Sequence, residues 1–268
     1  MSEAVLAEHA RLLAAVAEAG ALARAAFSAG VSCSSWDKAP GQIVTETDLA
    51  VDRLLHARLI AGRAGFAWLS EEAADDPTRF TAPRVWVVDP IDGTRAFARG
   101  IPEFAIAVAL VEDGQAVAGV VYNPATDELF EATRGGGARL NGRAIRVGAH
   151  PSIAGARLLT SRRHLDESPA AVAFAEAEIV AVRSIAYRMA LVAAGTFDAM
   201  LTLRPKSDWD LAAAALVVSE AGGVVSDTGG AALAYNRASP RHASAIAANP
   251  TLQAALIAAL GGFRGHNT

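Results

Sequence analysis

The chain has 268 residues, of which 52% are hydrophobic, and this is enough to build one large core or two closely packed ones. Its formal net charge of −4 at pH 7, without any run of Lys or Arg, argues against a surface for nucleic acid. Cys33 is the only cysteine, which excludes an internal disulfide bond and indicates a reducing compartment.

Residues 1–28 carry apolar side chains at helical spacing and predict an amphipathic helix. Within this segment Glu3, Glu8 and Arg11 interrupt the apolar run that a signal peptide needs. No apolar stretch of the chain reaches the ~18 residues of a membrane span. We therefore expect a cytoplasmic protein that does not insert into a membrane.

The next elements are antiparallel in character. Thr45 to Asp48 reads TETD, a capping-box pattern that predicts the start of a second helix. Strands are predicted at 66–69, 84–88, 104–111, 116–122 and 128–132, and the turn between 111 and 116 marks a hairpin. These elements predict an α+β sub-domain over residues 1–150.

After His150 and Pro151 the pattern changes, because strands now alternate with helices. Strands are predicted at 157–160, 199–203, 224–226 and 243–247, and helices at 169–177, 185–194, 211–221 and 250–260. We expect an α/β sub-domain over residues 151–268, packed face to face with the first.

The run RVWVVDPIDGTRAF at 84–97 carries the strongest chemical signal. Its first five residues predict a buried strand that ends at Asp89, because Pro90 cannot donate to a continuing sheet ladder. Asp92 and Gly93 form a turn dipeptide, and Thr94 can cap a following helix. Two carboxylates three residues apart on one rigid corner are both ionised comfortably only when a cation lies between them.

Further acidic residues can join this pair. Glu71 and Glu72 upstream, and Asp208 and Asp210 downstream, offer the oxygen ligands that Mg²⁺ prefers. The sequence therefore predicts a carboxylate-built Mg²⁺ site for phosphate chemistry. For Glu72 a surface position is an equal alternative, and Asp208 is read as a turn or cap residue before the helix.

Four motifs together resemble the inositol monophosphatase superfamily, which includes inositol monophosphatases, bisphosphate nucleotidases and fructose-bisphosphatases. They are VTETD at 44–48, SEE at 70–72, DPIDGT at 89–94 and SDWDLAAAALVVSEAGG at 207–223. The resemblance covers nearly the whole chain. It implies a layered α-β-α-β-α sandwich of the α/β class, a homodimer, and inhibition by Li⁺.

The resemblance also implies a role for each motif residue. One Mg²⁺ would be held by Glu71, Asp89 and the carbonyl of Ile91, and a second by Asp89, Asp92 and Asp210. Two or three Mg²⁺ ions per site are expected, and Mn²⁺ can replace them. The catalytic residues would be Glu71, Asp48 and Thr94, which orient and activate the attacking water.

The residues expected to bind the substrate are Asp92, Gly93, Thr94, Arg183, Ser184 and Asp210. Asp48 has a second interpretation from its local sequence, as a helix cap alone. The N-terminal sub-domain would thus carry most metal ligands, whereas the C-terminal one would carry Asp210 and the residues that select the substrate.

The implied activity is a Mg²⁺-dependent, lithium-sensitive phosphomonoesterase in which water attacks the phosphorus of a small phosphorylated metabolite. Leu203 stands where inositol-selective members carry an acid, and Arg183 replaces a small residue. An arginine at this place can pair with a second phosphate or stack on a base. These two departures favour a 3′(2′),5′-bisphosphate nucleotidase acting on 3′-phosphoadenosine 5′-phosphate.

Two alternatives stay open. One is a phosphatase of inositol 1-phosphate or another polyol monophosphate, including histidinol phosphate. The other is a non-catalytic regulator on the same fold that binds RNA polymerase or another partner. The intact set of acidic residues argues against the regulator, because a pure binding protein has no physical reason to keep several converging carboxylates.

Overall fold

The structure is a computed structural model that describes residues 3–29, 35–39, 42–168 and 170–261. Cys33 lies outside the described residues. Among the helices of the described ranges, none is long and apolar enough to cross a membrane.

The helices are α1 Glu3–Ser28, α2 Glu46–Leu59, α3 Thr94–Phe97, α4 Arg162–Asp166, α5 Ile185–Ala193, α6 Asp208–Glu220 and α7 Pro250–Leu260. Short 3₁₀ helices cover Pro77–Phe80 and Ala171–Phe174. The strands of the first half are β1 Ser35–Ala39, β2 Gln42–Thr45, β3 Phe66–Ser70, β4 Arg84–Asp92, β5 Ala105–Glu112, β6 Gln115–Asn123, β7 Glu128–Thr133, β8 Gly137–Leu140 and β9 Arg143–Ala144. Those of the second half are β10 Arg157–Leu159, β11 Glu178–Val180, β12 Ala199–Thr202, β13 Lys206–Ser207, β14 Val224–Ser226, β15 Arg241–His242 and β16 Ala245–Ala248.

The larger sheet joins seven strands in the order β3-β4-β5-β6-β7-β8-β9. β3 and β4 are parallel, whereas the other neighbours are antiparallel. Successive side chains of β5 point to opposite faces. Ile106, Val108 and Leu110 therefore pack with α1 and α2, and Ala107 and Ala109 join the core that contains α5 and α6. Both faces of this sheet are covered by helices.

The smaller sheet joins five strands in the order β11-β10-β12-β16-β14. β10 is parallel to both its neighbours, and β16 is antiparallel to β12 and β14. Adjacent side chains of β10 also lie on opposite faces of the sheet. Leu159 joins the core with α5 and α6, and Leu158 packs with Leu252 and Leu256 of α7. α7 thus covers the outer face of the smaller sheet.

The layers follow the order α1 with α2, larger sheet, α5 with α6, smaller sheet, α7. This confirms the predicted α-β-α-β-α sandwich. α6 belongs to the second half of the sequence but packs against β4, β5 and β6 of the larger sheet. The helix that carries Asp210 is thereby brought to the strand that carries Asp89. The division into two sub-domains at residue 150 stays a prediction.

Two helices of the second half differ from the prediction. α6 begins at Asp208 rather than 211, because Asp210 Oδ2 accepts the N–H of Ser207 at 2.6 Å and closes the first turn. The helix predicted at 169–177 is wrong, since the described part of that segment holds only the 3₁₀ turn Ala171–Phe174. Phe174 is buried whereas Val172 is 87% exposed, so the segment lacks the apolar stripe that stabilises a longer helix.

Candidate active site

The end of β4 places the first two predicted ligands. Pairing with β5 continues to Asp89, is interrupted at Pro90 and Ile91, and resumes at Asp92. The prediction that Pro90 ends the sheet pairing was therefore wrong. Proline removes one donor and breaks the ladder locally, but an irregularity of two residues lets the strand continue. Asp89 and Asp92 consequently lie on the two sides of one bulge.

Asp210 completes a cluster with these two residues. One carboxylate oxygen from each of Asp89, Asp92 and Asp210 lies within 4.8 Å of the other two. Asp89 and Asp92 are buried, and Asp210 is half-buried in the first turn of α6. These three residues are called the carboxylate cluster below.

Asp89 is the member of the carboxylate cluster that most needs a partner. Both its carboxylate oxygens are buried, and neither accepts a hydrogen bond from the part of the chain that the structure describes. A buried, ionised carboxylate without a donor costs several kcal/mol, and proteins compensate such groups by pairing or by a metal. Because hard oxygen donors suit Mg²⁺ and Mn²⁺, the residues present fit a divalent cation.

Burial and mutual repulsion perturb the titration of the carboxylate cluster. Burial raises the pKa of Asp89 well above its ordinary value, and the charges of Glu71 and Asp92 raise it further. Burial also raises the pKa of Asp92 to about 7, with a further contribution from the charge of Asp210. A bound cation favours the ionised forms and would lower these pKa values.

Asp48 and Thr94, the pair predicted to orient water, are in direct contact. Thr94 Oγ1 lies 3.0 Å from Asp48 Oδ1 and 2.9 Å from the carbonyl oxygen of Ile91. Asp48 Oδ2 accepts the N–H of Thr45 at 3.0 Å and also its hydroxyl. Burial raises the pKa of Asp48 to about 6, although the bonds from Thr45 and Thr94 oppose the rise. Asp48 therefore caps α2, as its local sequence predicts, and also faces Thr94.

Glu71 approaches the carboxylate cluster from the end of β3. Its N–H donates to the carbonyl of Val88 at 3.2 Å, which ties it to β4. Its charge raises the pKa of both Asp89 and Asp48, so its half-buried carboxylate lies within Coulombic reach of each. It is not one of the three carboxylates within 4.8 Å of one another. Its part in binding metal and activating water stays a prediction, as does the part of the Ile91 carbonyl in binding metal.

Gly93 links the carboxylate cluster to α3 in a conformation that requires glycine. Its φ is 94°, in the left-handed region. A Cβ at this position would lie 2.8 Å from the carbonyl oxygen of Glu103 and 3.3 Å from Cβ of Ser184. Glu103 and Ser184 therefore lie directly beside the turn that follows Asp92.

Ser184 contacts Asp92 of the carboxylate cluster, whereas the side chain of Arg183 pairs with Glu103 beside the cluster. The Ser184 hydroxyl and the Ala186 N–H each donate to Asp92 Oδ2 at 2.6 Å. Arg183 Nη1 lies 2.8 Å from Oε2 of Glu103. No motif in the sequence points to Glu103, because only the fold brings it to an arginine 80 residues later.

Asp208 belongs to a different group of residues. Its Oδ1 lies 2.8 Å from His242 Nε2, and its Oδ2 accepts the N–H of Asn236 at 2.6 Å. Arg79 is fully buried and donates to Asn236 Oδ1 at 2.7 Å and to Asp75 at 2.6 Å. These five residues are called the Arg79 network below. The interpretation of Asp208 as a turn or cap residue was wrong, since it is the first residue of α6 and lies buried in this network.

Comparison with known proteins places this geometry among phosphatases. The sequence profile described as "Inositol monophosphatase family" matches residues 5–262. An inositol-1-monophosphatase of Rhizobium meliloti is 40% identical over 201 residues, 72% of this chain and 75% of that protein. The Nus factor SuhB of Pseudomonas aeruginosa is 36% identical over 195 residues, 69% of this chain and 72% of that protein. The crystal structure of the extragenic suppressor protein suhB from Bartonella henselae has a TM-score of 0.80 at 30% identity, covering 93% of this chain and 96% of that one.

Proposed function

The chain belongs to the inositol monophosphatase family and is a phosphoric monoester hydrolase, and we propose that it acts on inositol 1-phosphate or a related polyol monophosphate with Mg²⁺. One observation carries the metal-dependent chemistry. Asp89 holds two buried carboxylate oxygens without a hydrogen-bond partner inside a cluster of three converging carboxylates. This is the arrangement that a divalent cation stabilises.

The residues that would hold the cations are Glu71, Asp89, the Ile91 carbonyl, Asp92 and Asp210. When bound, such cations polarise the phosphoryl group and lower the pKa of the attacking water. Sensitivity to Li⁺ belongs to the same proposal. It would arise if Li⁺ took the place of one Mg²⁺ at these oxygen ligands.

Thr94 and Asp48 act on the water. When the Thr94 hydroxyl donates to Asp48 Oδ1, its lone pairs can accept a hydrogen bond from a water molecule, and a proton passing from the water to Thr94 is matched by one passing from Thr94 to Asp48. Asp48, with a pKa raised to about 6, is ionised above that pH and can take a proton through Thr94. No nucleophilic side chain is needed, since water attacks the phosphorus directly.

The substrate class is where the sequence-based expectation changes. Relatives named inositol-1-monophosphatase at 40% and 38% identity support a polyol monophosphate over the bisphosphorylated nucleotide. The nucleotide hypothesis depended on Arg183, whose guanidinium is held by Glu103. Leu203, the other departure, is buried and offers no polar group to either substrate.

Relatives named Nus factor SuhB favour a second candidate function, regulation through a partner. In this chain the carboxylate cluster is intact. A regulatory role would therefore accompany catalysis rather than replace it. The homodimer and the cytoplasmic location expected from the sequence stay predictions.

Phosphate release with Mg²⁺ from inositol 1-phosphate, histidinol phosphate and 3′-phosphoadenosine 5′-phosphate tests this proposal. We expect the highest kcat/KM on inositol 1-phosphate, loss of turnover in EDTA, recovery with Mg²⁺, and inhibition by Li⁺. A preference for histidinol phosphate would move the substrate within the polyol class. A preference for the nucleotide would restore the sequence-based hypothesis, and no turnover of any substrate would favour the regulatory function.

A further inference from the structure

An ion pair lies beside the turn that carries Asp92. Glu103 Oε2 accepts Nη1 of Arg183 at 2.8 Å and the backbone N–H of Arg183 at 3.2 Å. The two side chains are 27% and 46% exposed, so the pair lies at the surface of the protein rather than in its core. Because a backbone donor also holds the carboxylate, Glu103 is fixed even when the arginine side chain moves.

The distances around Gly93 place this pair next to the proposed phosphate position. A Cβ on Gly93 would lie 2.8 Å from the backbone oxygen of Glu103, and Ser184, which follows Arg183, donates to Asp92. The Glu103–Arg183 pair therefore lies within reach of the alcohol portion of a substrate whose phosphate lies at the carboxylate cluster.

Glu103 compensates more than one positive charge. Arg188, half-buried on α5, donates from Nε to the carbonyl of Val182. Burial lowers the pKa of Arg188, and the charges of Asp92 and Glu103 oppose this, so Glu103 lies within Coulombic reach of this second guanidinium. Without Glu103, Arg183 and Arg188 would leave a positive region at this edge of the site.

We propose that Glu103 determines specificity by cancelling the charge of Arg183 and repelling a second phosphate, so that the site accepts monophosphates of uncharged polyols. This inference rests on the proposed function and assigns to Glu103 the exclusion of bisphosphates from the substrate site. Discrimination between related ligands commonly needs a repulsive element against the wrong one. The Glu103 carboxylate removes the attraction that Arg183 alone would offer a second phosphate and adds repulsion at short range, and an uncharged hydroxyl group experiences neither effect.

The test compares kcat/KM for inositol 1-phosphate and 3′-phosphoadenosine 5′-phosphate in the full chain with Mg²⁺. Glu103→Gln is expected to raise the ratio of nucleotide to inositol substrate about tenfold, mainly through a lower KM for the nucleotide. Adding Arg183→Ala to Glu103→Gln is expected to remove that gain. The control Glu18→Gln deletes the same charge from an exposed pair with Arg58 on the outer helices and is expected to keep the wild-type ratio.

A ratio within twofold of the wild type in Glu103→Gln, with an unchanged melting temperature, would overturn the inference. If Glu103→Gln melts early, Glu103→Ala supplies the same comparison. Calorimetric dissociation constants for both ligands, with Ca²⁺ in place of Mg²⁺, give the ratio without turnover. If the wild type hydrolyses neither ligand, the proposed activity on inositol 1-phosphate fails. The binding ratio still decides the role of Glu103, since about tenfold tighter relative binding of the nucleotide supports it and an unchanged ratio overturns it.

Discussion

Two buried acidic regions meet at the start of α6 and behave in opposite ways. In the Arg79 network, Asp208 contacts both His242 and the Asn236 N–H, and Arg79 donates to two side chains. The carboxylate cluster includes Asp210, two residues after Asp208 on α6. In this cluster Asp89 has no hydrogen-bond partner among the described residues. Burial of a charged group is therefore not what marks the active site. What marks it is a buried charge that the protein leaves uncompensated.

The largest effect is expected from removing the uncompensated charge itself. Asp89→Asn should lower phosphate release by roughly 10²–10³-fold or more, because the cluster loses the charge that holds cations. The metal-free variant should unfold at the same or a higher temperature than the wild type, since repulsion with Asp92 and Glu71 disappears. Asp113→Asn, in the tight turn between β5 and β6, is the matched control, because asparagine also adopts its positive φ. Near-normal turnover of Asp89→Asn would remove this residue from the metal site.

The Arg79 network should show the reverse pattern. Arg79→Met keeps most of the side-chain volume but leaves Asn236 and the Arg237 carbonyl without their buried donor. We expect a loss of about 2–4 kcal/mol in the free energy of unfolding, measured with urea. We also expect kcat per folded molecule to stay within about threefold of the wild type, since none of the five residues of this network belongs to the carboxylate cluster. Unchanged stability would show that the network is not structural.

These opposite patterns also explain what the sequence reveals. Asp89, Asp92 and Asp48 could be predicted because each lies in a short motif that fixes its own local geometry, a strand end or a helix cap. Arg79 and Asn236 are 157 residues apart, and only the layered fold brings them together. The same holds for Glu103, which no local pattern distinguishes from other acidic residues. Sequence therefore locates groups whose geometry is local, and misses pairs that long-range packing creates.

The free energy of unfolding should depend on pH when no metal is bound. An unfolded aspartate releases its proton near 3.8, whereas folded Asp92 does so at about 7 and Asp48 at about 6. Between these values the folded state binds more protons, so the free energy of unfolding falls as pH rises from about 4 to about 7. In urea unfolding with EDTA we expect this decline, and with Mg²⁺ a flatter profile. Identical profiles with and without Mg²⁺ would contradict a cation at the cluster.

The smallest effect concerns a residue that supports Glu71 without belonging to either region. Ser70 donates its hydroxyl to Asp52 Oδ1 at 2.5 Å and accepts the Glu72 N–H at 3.2 Å, so it fixes the turn on which Glu71 stands. Ser70→Gly should cost about 1 kcal/mol of stability and raise the Mg²⁺ concentration for half-maximal activity a few-fold. Asp52→Asn keeps an acceptor oxygen for Ser70 and should preserve most of the Mg²⁺ affinity. If Ser70→Gly leaves both the Mg²⁺ requirement and the hydrogen exchange of the Glu72 amide unchanged, the turn is held by β3 and β4 alone. In that case the backbone of the sheet, and not the Ser70 side chain, would hold Glu71 in position beside Asp89.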